Sequence, residues 1–237
     1  MLLLCIYCII SNLFAQNYEA KYLCSGQSST LVFNAEEWRY NLQVEAVYSN
    51  SIDYLEGDFN DEEITTESRK KETVNTFNYY SLNENYSLES VPLVEGTVIK
   101  SELQSPVWEI VSDSVQTIEG YQCFLAKGDL CGWQVEAWFT PEVPVTCGPW
   151  RLWGLPGLIV NAKSSDGYFD FQMLSLKKTD KTPEKPEYEK AIAKNEYKSV
   201  TEKKIKDLAN KISALGSDDR FSASVKTKIT NPDKCLQ

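Results

Sequence analysis

The chain carries 34 carboxylates and seven thiols, and it has no histidine. Lack of histidine removes Ser–His and Cys–His nucleophilic machinery, histidine-ligated zinc and the commonest general base. There is no glycine-rich phosphate loop and no nucleophile elbow. Paired carboxylates would suit glycoside hydrolysis, but with 34 of them the spacing singles out no pair. A histidine-free hydrolase is therefore the third of three readings. Cys123 has no basic neighbour to lower its pKa, so it reads as a buried strand residue and not as a nucleophile. The acidic stretch 53–63, centred on Asp58-Phe59-Asn60-Asp61-Glu62-Glu63, has oxygen ligands for calcium. It lacks the glycine at the sixth and the glutamate at the twelfth loop position, and it reads as a solvated loop. Residue types thus assign no catalytic group, no metal site and no cofactor.

What they do assign is a candidate binding surface. Gly148-Pro149-Trp150-Arg151-Leu152-Trp153-Gly154-Leu155-Pro156-Gly157-Leu158-Ile159-Val160 holds three glycines, two prolines, two tryptophans and one charge, Arg151. The prolines lack an N–H and the glycines cost backbone entropy, so no regular helix forms. The stretch is also too apolar to be left wet, so it predicts a buried, sharply bent connector leading into a strand. Trp150, Trp153, Leu155 and Leu158 either plug one end of the core or rim a cavity for a hydrophobic small molecule. Arg151 at its mouth either pairs with an anionic head group or forms a salt bridge to the acidic body. Trp138 lies on the polar side of an alternating strand, where it lines a groove or covers a neighbouring loop.

The surrounding elements read as β-structure. Tyr18–Leu23, Ser29–Phe33, Trp38–Tyr48, Val74–Leu82, Tyr86–Leu93, Gly96–Leu103, Val107–Val111 and Gln116–Ile118 form a series of short β-prone runs. Tyr121–Lys127 and Cys131–Thr140 read as a hairpin about Gly128-Asp129. Trp133, Val135, Ala137 and Phe139 share one face of its second strand. Leu158, Val160 and Ala162 share a face of the next strand. Asp166-Gly167 turns it back into Tyr168–Leu176. From about residue 177 the texture changes to a basic, helical segment. Tyr188–Tyr197 predicts a short helix, and Thr201 caps a second that runs to Gly216.

Met1–Ala15 is uncharged and apolar, and it reads as a signal peptide ahead of a single β-rich domain at 16–237. No later run is long enough to span a bilayer, so the mature chain is expected without a transmembrane segment, in the periplasm or outside the cell. The net charge of −10 argues against nucleic acid as a partner. Five cysteines follow the leader, an odd number for an oxidising compartment, so at least one is free or pairs between chains. With a turn at Gly128-Asp129, Cys123 and Cys131 lie roughly 10 Å apart, beyond a disulfide. Cys131 with Cys147 is the expected pair, and Cys24 with Cys235 is a second option.

Gly154-Leu155-Pro156-Gly157-Leu158-Ile159 resembles the hexapeptide of the GLPGLI family of secreted Bacteroidetes proteins. The resemblance includes Gly148-Pro149, Ile118–Cys123 and Ala137–Pro144, and runs to about Tyr168. Cys131 and Cys147 depart from that pattern. The family has no established activity. The order of a Gly-Tyr-x-Cys hairpin, a tryptophan-bearing strand and a Gly-Leu-Pro entry into another strand also resembles envelope lipoprotein carriers of the incomplete-barrel type. The expectation is a mainly β protein, with an antiparallel, strongly curved sheet or incomplete barrel and one or two C-terminal helices. Its expected role is a non-catalytic binding or carrier protein of the cell envelope for a lipid or other hydrophobic ligand. The alternative is a protein-interaction or assembly component beside outer-membrane machinery, with an envelope protein as its partner.

Overall fold

The computed structural model describes residues 16–52, 66–92, 94–215 and 235. The expected leader at 1–15, the acidic stretch at 53–63 and the expected helix end at Gly216 lie outside the described residues. Twelve strands form one sheet: β1 (Asn17–Cys24), β2 (Gln27–Phe33), β3 (Glu37–Ile52), β4 (Thr66–Ser81), β5 (Tyr86–Ser90), β6 (Thr97–Glu102), β7 (Val107–Ile118), β8 (Tyr121–Leu130), β9 (Trp133–Thr140), β10 (Leu158–Ser164), β11 (Asp170–Thr179) and β12 (Lys190–Ile192). One helix, α1 (Tyr197–Leu215), follows. The strand order is β12-β6-β5-β4-β3-β2-β1-β11-β10-β9-β8-β7, an open sheet. Every pairing is antiparallel except β12 on β6, which is parallel, so the wholly antiparallel expectation is corrected to a mixed sheet.

The turns explain most of the local order. Ser25-Gly26, Glu119-Gly120 and Cys131-Gly132 each place two consecutive residues at positive φ, the backbone of two-residue hairpins whose twist matches the strands. The β8–β9 turn is therefore Cys131-Gly132, not Gly128-Asp129. Gly128 stays inside β8, opposite Trp108, and a Cβ there would lie 2.7 Å from the Trp108 ring. That glycine makes room for an indole, so its sequence signal mimics a turn. The alternation on β9 holds, with Trp133, Val135, Ala137 and Phe139 all buried.

Moving the turn moves the disulfide. Cys131 sits at the exposed hairpin tip, whereas Cys147 is buried in the core. Cys131 pairs with Cys235, their Cα atoms 5.1 Å apart. Cys24, Cys123 and Cys147 are free and buried. Both the Cys131–Cys147 and the Cys24–Cys235 expectations are thus corrected.

The C-terminal segment also differs from its local propensity. Tyr188–Tyr197 is no helix: Glu189 and Lys190 donate their backbone N–H groups to Gly96 O, and Ile192 packs with Val91 and Ile99. A 3-10 turn at Lys194–Glu196 follows, and the Glu196 carboxylate reaches back to accept the Ala193 N–H at 2.8 Å. Thr201 lies inside α1 instead of capping it, and its hydroxyl donates to Tyr197 O. Tyr197 and Val200 pack against the Val91–Ile99–Ile192 cluster.

The main core lies on one face of the sheet. β1–β4 contribute Tyr22, Leu31, Phe33, Trp38 and Tyr80, β9 contributes Trp133 and Phe139, β11 and the residue before it contribute Phe171 and Phe169, and the connector contributes Leu152 and Leu155. Trp153 meets the Trp38 ring of β3 at 5.7 Å, and its carbonyl accepts the Trp108 Nε1–H of β7 at 2.8 Å. β3 and β7 are seven places apart in the sheet, which in a flat sheet is roughly 30 Å. The sheet therefore bends around the connector.

On β1, the Glu19 carboxylate is buried and accepts from Lys177 Nζ at 3.0 Å and from Lys181 Nζ. The Lys181 and Lys177 hydrogen bonds hold its pKa below the ordinary 4.5, although burial acts in the opposite direction. A carboxyl lowered in the folded state contributes stability above its unfolded pKa and loses it as pH falls through the folded value. Glu19→Gln should cost about 2 kcal/mol at neutral pH. It should also flatten the acid limb of the stability–pH curve below about pH 4.5, as read by urea denaturation across that range.

Candidate functional site

The connector between β9 and β10 is the strongest candidate, and its geometry follows from its glycines. A Cβ on Gly157 would lie 2.2 Å from Thr140 O, and one on Gly148 would lie 2.6 Å from Leu152 O. At both positions another part of the backbone passes where a side chain would stand. Gly154 adopts φ +94°, and its N–H donates to Thr146 O at 2.7 Å. Leu152 N and Ile159 N donate to Pro149 O and Cys147 O.

Three buried or half-buried side chains from distant strands donate to two connector carbonyls and to one at the start of β10. The Tyr22 hydroxyl of β1 donates to Ile159 O at 2.7 Å. The Tyr80 hydroxyl of β4 donates to Trp150 O at 3.0 Å. The Trp108 indole of β7 donates to Trp153 O at 2.8 Å. Composition gives no hint of these partners, because nothing local marks one tyrosine among thirteen as a donor to a chain segment 70 or 137 residues away.

Arg151 resolves the choice left open by its position. Its Nε donates to Glu89 Oε2 at 3.0 Å and its Nη2 to Glu89 Oε1, a two-point pair with β5. The guanidinium also lies 4.8 Å above the Trp150 ring and is only 10% exposed. The salt bridge to the acidic body is the arrangement formed, and the pair pins the connector to the β5 side of the sheet.

The five residues proposed from sequence as ligand-binding separate into three groups. Arg151 and Trp153 line a surface pocket of about 360 Å³, together with Tyr80, Leu103, Gln104 and the Cys131–Cys235 disulfide. Trp150 packs into the core against Trp133, Phe169 and Phe171 at 5.4–6.4 Å, and Leu155 is 1% exposed. Trp138 is half-buried on β9, level with Leu125 of β8 and Asn161 of β10, away from the pocket. Glu89 and Tyr80 are among the pocket residues that sequence reasoning missed.

Burial pushes the Cys123 thiol up to about 11 and raises the Cys24 and Cys147 thiols as well, so none is poised as a thiolate at neutral pH. Among the described residues no group of three acidic or cysteine side chains is placed to hold a metal ion.

A family model described as a protein of unknown function (Porph_ging) matches residues 131–161. That stretch runs from the Cys131 turn through β9 and the whole connector into β10. By sequence, no curated protein matches the chain. By structure, the chain is similar to PNGF-II, solved in two space groups. For the C2 form the TM-score is 0.56 at 17% identity, over 80% of this chain and 33% of that one. For the P21 form it is 0.54 at 17% identity, over 80% and 34%. The chain therefore spans about a third of the length of PNGF-II, and at this identity the likeness is one of fold.

Gly157→Ala should lower stability by about 3 kcal/mol, because the new methyl meets backbone that cannot yield. Gly167→Ala, at an open hairpin turn with nothing within 4 Å of the added carbon, should cost about 1 kcal/mol through its positive φ alone. Denaturant midpoints of the two variants check the difference, and equal losses would refute it.

Proposed function

We propose that the chain is an exported, non-catalytic binding protein of the GLPGLI type that holds a small ligand, apolar on one side and polar on the other, in the pocket beside Arg151. The observation that carries this reading is the convergence of Arg151 and Trp153 on one pocket of about 360 Å³. That volume is at the lower end of the range for small-molecule sites. Tyr80, Leu103, Leu130 and Trp153 supply apolar walls, and Ser87, Ser101 and Gln104 supply hydrogen-bonding groups. A bulky acyl chain threaded through the sheet is a poorer fit, because Trp150, Leu152 and Leu155 fill that face.

Support for a non-catalytic role comes from side-chain chemistry. The pocket's arginine is already paired with Glu89, the three free thiols among the described residues are buried, and the chain has no histidine to act as a base. The alternative of a partner-protein role rests on a different surface, at β7.

Native mass spectrometry of the protein purified from its own cell envelope tests the reading. The expected result is a bound species of discrete mass, retained by wild type and reduced at least about tenfold in occupancy by Trp153→Leu. Gln104→Ala, at an exposed pocket residue, serves as a variant that leaves the core intact and should also lower occupancy. Ligand-free wild-type protein, or occupancy in both variants unchanged from wild type, would overturn the assignment.

A further inference from the structure

The two edges of the sheet are treated differently. β12 is three residues long, and the start of α1 packs beside it through Tyr197 and Val200. β7 is twelve residues long and, among the described residues, pairs only with β8, so alternate backbone N–H and C=O groups on its outer side meet no described strand. Three of the five large hydrophobic residues exposed among the described residues lie on this one strand: Val107 at 86%, Ile110 at 48% and Val115 at 46%. Natural edges are usually guarded by lysine, proline or a very short strand. Between residues 107 and 118 there is neither lysine nor proline.

We propose that the β7 edge, chiefly its regular arm Val107–Val111, is a docking strand for an extended segment of another polypeptide with alternating apolar and basic residues. The register shift between Val111 and Val115 interrupts the ladder beyond that arm. Backbone hydrogen bonds would supply affinity, and the incoming side chains would alternate between the face of Trp108 and Ile110, which takes the apolar ones, and the face of Val107, Glu109 and Val111, which takes the basic ones. Charge sets the partner's sign. The ionisable groups of β7 are Glu109 and Asp113, and neither makes an ion pair with another described residue. Lys127, opposite Glu109 on β8, is engaged by Glu136 at 3.5 Å. A second copy of this chain is a poor occupant, because it would bring the same acidic strand on a body of net charge −10. This docking edge is separate from the pocket and independent of the ligand reading.

The test uses two ten-residue, end-capped probe peptides on the whole chain, one alternating lysine and valine and one alternating glutamate and valine. The readout is amide hydrogen exchange. The lysine–valine peptide should slow exchange across 107–111 at least about tenfold, and its affinity should fall about tenfold at high salt. The glutamate–valine peptide should give no protection. A combined Val107→Lys, Ile110→Lys and Val115→Lys variant, altered only at exposed positions, should keep the wild-type unfolding midpoint and lose the protection. Failure of the lysine–valine peptide to protect 107–111 would overturn the proposal. So would equal protection by both peptides, or protection that arises without peptide as protein concentration rises, the signature of self-pairing.

Discussion

An irregular backbone segment lies within the core of a β-sheet protein, and its carbonyls must find donors there. This is the constraint on which the rest of the structure depends. Each buried carbonyl left without a partner costs about 1–3 kcal/mol, a large fraction of the stability of an ordinary domain. The connector meets the constraint by recruiting Tyr80 from β4 and Trp108 from β7, and Tyr22 from β1 donates to Ile159 O just beyond it in β10. Strands so far apart in the sheet reach one segment only if the sheet bends around it. Bend, core and pocket thus have a common origin. The pocket opens where the connector, having turned at Trp150 and Gly154, leaves Arg151 and Trp153 facing β5 and β6.

The tryptophans and the arginine have structural duties before any binding role. Trp150 holds a positive φ of 53° with its ring packed against Phe169 and Phe171 and beneath the Arg151 guanidinium. Trp153 packs at a 49° tilt against Trp38, and its carbonyl accepts from Trp108. Only the remaining surface of Trp153 is available to a ligand. The Cys131–Cys235 disulfide adds a second tie at the same place, joining the C-terminal segment to the tip of the β8–β9 hairpin beside the pocket.

Much of this was legible in the sequence, where local chemistry decides. Glycine and proline spacing marks the connector as bent, its tryptophans and leucines mark it as buried, and alternation gives the inward face of β9. Legibility fails where a contact made far along the chain overrides a local signal. Gly128 reads as a turn residue, yet it serves the Trp108 ring. Tyr188–Tyr197 has a helical texture, yet part of it pairs with β6 through Gly96 and Ile192. Cys131 is near Cys147 along the chain, but a three-residue shift of the turn places it at an exposed tip. Glu89 is one carboxylate among 34, and only the fold places it under Arg151.

Native-state hydrogen exchange measures most directly whether the connector is a core element or a loop. The amides of Gly154, Leu158 and Ile159, which donate to Thr146, Val143 and Cys147, can be compared with those of Ala20 and Leu31 in the central strands. If the sheet is built around the connector, all five exchange only through global unfolding and give the same opening free energy. Connector amides that exchange through local opening, several kcal/mol below the central strands, would contradict the account.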